Sequence, residues 1–130
     1  SIEEIDRLNV YQATLRAMFR AVHALPIKPN FVLTDAMKIY FGDDIGTLSI
    51  IRGDAKSATI AAASIIAKVT RDRMTDEWDE LYPQYDFAHN RGYGTRKHLE
   101  AIKKFGATPL HRRSYEPVKS LYSTQLEIKF

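Results

Sequence analysis

The chain of 130 residues has the length of about one domain. With 45% hydrophobic and 27% charged residues it has an ordinary globular balance, and the lack of cysteine excludes both a disulfide framework and a thiolate metal site. The net charge of +3 permits nucleic-acid binding without requiring it, and no stretch approaches the ~20 apolar residues of a membrane span, so no membrane partner is expected.

Ser1 and Glu4 have the spacing of a capping box. Ile5, Leu8, Leu15, Met18, Phe19 and Val22 then recur at helical spacing, which predicts one helix ending before Pro26. The opening has no basic segment followed by an apolar run, so it does not read as a secretory signal. Together with the missing cysteines, this sets a cytoplasmic expectation. A start at a helix cap without an initiator methionine reads as a cut chain.

FVLT, residues 31–34, and LSIIR, residues 48–52, are short β-prone runs that end at Asp35 and at Gly53-Asp54. Gly42, Asp43, Asp44 and Gly46 between them read as turn residues. A long helical pattern follows from about Lys56 to Tyr82. Its first half is rich in alanine, which lets a helix pack closely. After Pro83, PQYDFAHNRGYGT reads as a surface loop. Thr95 caps a helix that Gly106 ends, and the tail adds a last helix after Pro117. Strands alternating with helices predict an α/β layer fold. Two paired strands are marginal alone. The sheet is therefore expected to be incomplete, with its other strands in a missing segment or in a second chain.

Asp35 and Asp54 each follow a predicted strand, and in open α/β sheets ligands gather at the carboxyl ends of strands. Two carboxylates converging there suit a hard cation such as Mg²⁺ or Mn²⁺. The competing reading makes them turn formers, with Asp54 the cap of the following helix. From Asn90 onward the basic residues Arg91, Arg96, Lys97, Lys103, Lys104, Arg112, Arg113, Lys119 and Lys129 face the acids Glu100, Glu116 and Glu127. Lys56, Arg112 and Arg113 are candidates for phosphate contact, against the alternative of surface ion pairs. Tyr93, between Gly92 and Gly94, is either a loop anchor or a stacking face. His89, His98 and His111 lack zinc-ligand spacing, and His98 and His111 read as backbone hydrogen-bonders or neighbours of substrate. Asp72 reads as a structural partner of nearby basic groups. No nucleophile elbow, phosphate-binding glycine loop or H-E-x-x-H helix is present.

RGDAKSATIAAASIIAKVTRD, residues 52–72, closely resembles a signature of ribonuclease HII. LTDAM around Asp35, RGYGTRKH at 91–98, HRRSYEPV at 111–118 and the opening SIEEIDRLNVYQATLRAM resemble further motifs of that family, in order. The resemblance implies an α/β fold: an incomplete ribonuclease-H-like fold, part of a mixed sheet flanked by helices, with C-terminal helices. On that reading residues 1–130 are the C-terminal part of a single catalytic domain. It implies a metal-dependent endoribonuclease that cleaves RNA in RNA–DNA hybrids and cuts 5′ of single ribonucleotides in duplex DNA. Asp35 matches the third of four metal-binding acids and Asp54 the fourth. Tyr93 matches a tyrosine that stacks on the sugar at the RNA–DNA junction.

The first two acids belong to an Asp-Glu-x-Gly-Arg-Gly motif that this sequence does not contain. Two dications ~4 Å apart repel by roughly 16 kcal/mol at an effective dielectric near 20, and four carboxylates offset that charge. Asp35 and Asp54 supply half of it. The chain alone is therefore expected to hold a single ion weakly and to be inactive. The alternative is a non-catalytic nucleic-acid-binding or dimerising module.

Overall fold

The computed structural model describes residues 1–127; Lys129 of the basic stretch lies outside the described residues. The chain divides into two compact units, one of Leu8–Lys68 and one of Ser1–Arg7 with the chain from Val69 onward.

In the Leu8–Lys68 unit, α2 (Val10–His23) precedes β1 (Phe31–Asp35) and β2 (Gly46–Ile50). The strands pair in parallel, with Phe31 opposite Gly46 and Asp35 opposite Ile50. Two neighbouring parallel strands carry both of their carboxyl ends to the same edge, where Asp35 and the residues after Ile50 emerge. Residues 36–45 connect the strands. Phe41 is buried in this connection and stacks on Phe19 of α2, with ring centroids 6.4 Å apart. A short helix, α3 (Gly53–Lys56), follows β2, and α4 (Ala58–Leu81) begins after a break at Ser57. Ala13, Phe41, Ile45 and Ile60 are the buried apolar side chains here.

In the other unit, α1 (Ile2–Leu8) opens the chain. The second half of α4 leads into a 3₁₀ turn (Pro83–Tyr85), α5 (Phe87–Asn90), α6 (Arg96–Phe105) and α7 (Val118–Glu127). The core is aromatic. Tyr85, Phe87, Ala101, Ile102 and Val118 are buried, with Trp78, Tyr82, Leu110 and Leu121 packed on them. The Tyr85 hydroxyl donates to the Gly106 carbonyl at 2.7 Å, so its polar end is satisfied.

The architecture is α/β with a two-stranded parallel sheet and several helices, consistent with the partial fold that the resemblance implies. The Ser1–Glu4 capping box forms: the Glu4 N–H donates to Ser1 Oγ at 3.3 Å, and the Glu4 carboxylate takes the chain's amino group at 3.2 Å.

Three local expectations need correction. The single N-terminal helix is broken at Asn9, whose φ of 70° interrupts helical geometry and whose side chain accepts the Gln12 N–H as a new cap. Asp54 lies inside α3 and does not cap the long helix. Ser57 stands before α4, its carbonyl taking the Ala61 N–H at 2.9 Å. The segment 83–95 is not a surface loop throughout. Tyr85 is 1% exposed and Phe87 2%, and the Asn90 amide donates to the Tyr85 carbonyl at 2.6 Å.

Candidate functional site

Asp35 ends β1 and is half-buried, while Asp54 is exposed in α3. One Asp35 carboxylate oxygen accepts the backbone N–H of Gly53 at 2.8 Å, which ties the end of β1 to the residue before Asp54. The turn that makes this possible is tight. Arg52 adopts left-handed geometry at φ 58°, and Gly53 sits against the strand end. A Cβ on Gly53 would fall 2.7 Å from Ile60 Cδ1 and 3.3 Å from the Asp35 backbone. Asp54 Oδ1 accepts the Ala55 N–H at 2.9 Å. Asp35 and Asp54 thus emerge at the same edge of the parallel pair. Each has a second carboxylate oxygen outside these bonds. Lys56, exposed, ends the short helix that carries Asp54.

These donors fit a hard divalent cation in type, since carboxylate oxygens are its ordinary ligands. They fit it incompletely in number. Among the described residues no group of three or more acids or histidines gathers to hold a metal.

The second set of residues lies in the other unit. Tyr93 is 63% exposed. Its hydroxyl accepts from Arg71 at 3.3 Å, and the same guanidinium lies 5.0 Å from its ring centroid and donates to the Arg91 carbonyl at 2.6 Å. Arg91 in turn donates to the Asp72 carbonyl at 2.6 Å and to Thr75 Oγ1 at 2.7 Å, and pairs with Asp76. The loop bearing Tyr93 is therefore riveted to α4 through two arginines. Asp72 is a partner of Arg91, with its carboxylate 3.9 Å from the guanidinium.

Arg112 lies over the Tyr115 ring at 4.1 Å and Arg113 over the Tyr122 ring at 4.9 Å. Each guanidinium is thus within cation–π range of an aromatic ring. Their loop is anchored by Asp6, which accepts the N–H groups of Arg113 and Ser114 at 2.9 Å and the Ser114 hydroxyl at 2.6 Å. Partial burial opposes ionisation of Asp6, but these donors and the Arg113 charge hold its carboxyl below the usual range.

His98 and His111 are buried, at 4% and 7% exposure, with their Nε2 atoms 3.0 Å apart. His98 Nδ1 donates to the Tyr93 carbonyl at 2.9 Å, and His111 Nδ1 accepts the Thr108 N–H at 3.0 Å. Desolvation by burial, and then the neighbouring His98, push the His111 pKa down to about 4.

The sequence reading missed Arg71 and Asp6. Arg71 reaches a residue 22 positions away and Asp6 one 107 away, and no local spacing signals either contact.

Comparison with known proteins adds a family. The family model described as Ribonuclease HII matches residues 1–118. A ribonuclease HII of Macrococcus caseolyticus is 50% identical over 129 residues, covering 99% of this chain and 48% of that protein. One from Lactobacillus gasseri is 55% identical over 114 residues, covering 88% and 45%. One from Lactobacillus helveticus is 50% identical over 118 residues, covering 91% and 46%. The chain thus spans just under half the length of these curated relatives. Matched across nearly its whole length by the family model and by relatives at half identity, the chain belongs to the ribonuclease HII family.

Proposed function

We propose that this chain is the C-terminal part of a divalent-metal-dependent endoribonuclease. It cleaves RNA in RNA–DNA hybrids and 5′ of single ribonucleotides in duplex DNA. The observation that carries the reading is the Asp35–Gly53 hydrogen bond. It brings the ends of two adjacent strands, and with them two of the four acids, to one edge. Asp35 and Asp54 hold Mg²⁺ or Mn²⁺, and the remaining acids come from a segment outside this sequence. The chemistry that such ions supply when bound is activation of water and stabilisation of the departing oxygen. Tyr93 offers its exposed ring to the sugar at the junction, where the 2′-OH separates RNA from DNA. Lys56, Arg112 and Arg113 contact phosphates. The working compartment is the cytoplasm.

The isolated chain is inactive on this reading. Parallel sheets are ordinarily covered on both faces, yet Phe31 is 57% and Leu48 50% exposed, and Ile65 and Ile66 on α4 are more exposed still. An open groove of about 770 Å³, lined by Met18, Leu25, Phe31, Leu33, Ile60 and Ala63 among others, lies in the same unit. These surfaces favour completion of the sheet by the missing segment or by a second chain. Adding a segment that contains the Asp-Glu-x-Gly-Arg-Gly motif is expected to restore cleavage of a DNA duplex holding one ribonucleotide. Robust metal-dependent cleavage by the chain alone would overturn the division of the acids. Failure of the longer protein to cleave would overturn the nuclease reading. The exposed apolar surface also supports a second reading, a dimerising or nucleic-acid-binding module without catalysis. Light scattering that finds a monomer removes its dimerising form.

A further inference from the structure

The buried histidine pair is not a loose contact. The Tyr93 carbonyl can only accept, so His98 Nδ1 must carry its proton. A neutral His98 then presents a bare Nε2 to His111, and the 3.0 Å contact there requires His111 Nε2 to donate. That leaves His111 Nδ1 bare, and it is the atom to which the Thr108 N–H points at 3.0 Å. One tautomer of each ring satisfies every bond, and the polarity runs one way from Thr108 to Tyr93. A proton added to His98 Nε2 would face the His111 N–H head-on. A proton added to His111 Nδ1 would face the Thr108 N–H. Either addition breaks a link.

We propose that His98 and His111 are positioning residues for Tyr93. They form a neutral one-way hydrogen-bonded chain that holds the backbone beneath the tyrosine, and a proton taken up by the pair breaks one of the chain's links. The consequence for substrate rests on the reading of Tyr93 given above; the chain of bonds does not.

The surroundings favour the neutral state. The rings of Tyr85 and Phe87 pack on His111 with centroids 5.0 and 5.6 Å away, and the Thr108 hydroxyl lies 2.8 Å from its Nδ1. Phe87 also packs edge-on against His98 at 5.3 Å. Of these neighbours Tyr85 titrates. Its hydroxyl is bound to the Gly106 carbonyl, and burial raises its pKa above the ordinary value, so it remains uncharged. The depressed pKa of His111 is the same preference seen from the proton's side.

The test is long-range ¹H–¹⁵N correlation spectroscopy of the histidine rings in this chain, followed from neutral to acidic pH. The expected result at neutral pH is an Nδ1–H tautomer for His98 and an Nε2–H tautomer for His111. On acidification the His111 ring and the Gly94 amide, next along the chain from the gripped carbonyl, are expected to shift in one shared transition well below pH 6.5. Reversed tautomers, a charged ring at neutral pH, or a Gly94 amide that ignores the histidine transition would each overturn the proposal. His98→Asn keeps a donor near the Nδ1 position and removes Nε2. It is expected to retain the neutral-pH Gly94 shift and to lose its histidine-linked transition, whereas His98→Leu loses both. An unchanged transition in H98N would count against the chain. None of these readouts requires cleavage. The predicted tautomers in a protein whose Tyr93→Ala variant cleaves junctions normally would sink the substrate role of Tyr93 and leave the positioning chain standing.

Discussion

The Asp35 carboxylate accepts the Gly53 N–H at 2.8 Å, and Gly53 has no room for a side chain between Asp35 and Ile60. Gly53→Ala should therefore push α3 away from the strand end. Overpacking of this kind costs about 1–3 kcal/mol, read as a fall in the denaturant midpoint. Unchanged stability in G53A would show that the turn yields freely and does not fix Asp54.

Asp35→Asn separates charge from architecture. The amide oxygen still accepts the Gly53 N–H, so the fold should survive while the negative charge is lost. Groups that merely support a metal ligand are worth about 10–100-fold in affinity or activity. Loss of a ligand charge at Asp35 or Asp54 should cost roughly a hundredfold or more in the longer protein. Calorimetry with Mn²⁺ on the chain alone should find weak binding of one ion at most. Two tight sites per chain would refute the shared-acid arrangement.

Tyr93→Ala in the longer protein should reduce cleavage at a single-ribonucleotide junction far more than it reduces binding to plain duplex DNA. A stacking contact is worth about 1–3 kcal/mol, roughly five- to 150-fold in the junction rate. Equal losses in both assays would argue that the ring only anchors its loop against Arg71.

Acid should weaken the unit that holds the histidine pair. His111 has a folded-state pKa of about 4 against 6.5 when unfolded. Between those values the unfolded chain binds more protons, so stability rises with pH. The contribution is complete above pH 6.5 and is lost as pH falls toward 4. It amounts to about 3 kcal/mol at 1.36 kcal/mol per pH unit. His111→Gln should flatten this part of the pH–stability curve, measured by thermal unfolding at fixed ionic strength.

Asp6→Ala removes the acceptor for the N–H groups of Arg113 and Ser114 and for the Ser114 hydroxyl. Hydrogen bonds to a charged group are worth about 1.5–3 kcal/mol. The half-exposed setting places the expected loss at the low end, with faster amide exchange at 113 and 114 as the local sign.

Much of the fold is written in short-range chemistry. Thr95 and Gly106 bound α6 where expected, because the cap hydroxyl and a residue free to adopt φ 81° act locally. Both strands lie within two residues of their expected positions, and Pro117 precedes the last helix. The break at Asn9 stayed hidden because the apolar spacing continues through it. The segment 83–95 has the composition of a loop, yet its rings supply the core of their unit. Burial there depends on α6 and α7, which lie beyond any local window. The positions of Asp35 and Asp54 at the strand ends could be read from spacing, because each follows a short β-prone run. The Arg71 grip on Tyr93 could not, since it joins a helix to a loop far along the chain.

The extended residue at Ser57, with φ −131° and ψ 119°, has a mechanical consequence. It separates four helical residues, among them Asp54 and Lys56, from a rod of 24. A side chain of the rod nevertheless presses on the turn across that break, because Ile60 packs against Gly53, the residue before Asp54. The turn that bears Asp54 is thus braced from two sides, by the strand end and by the first turn of the longest element in the chain, and repacking on either side reaches the acid.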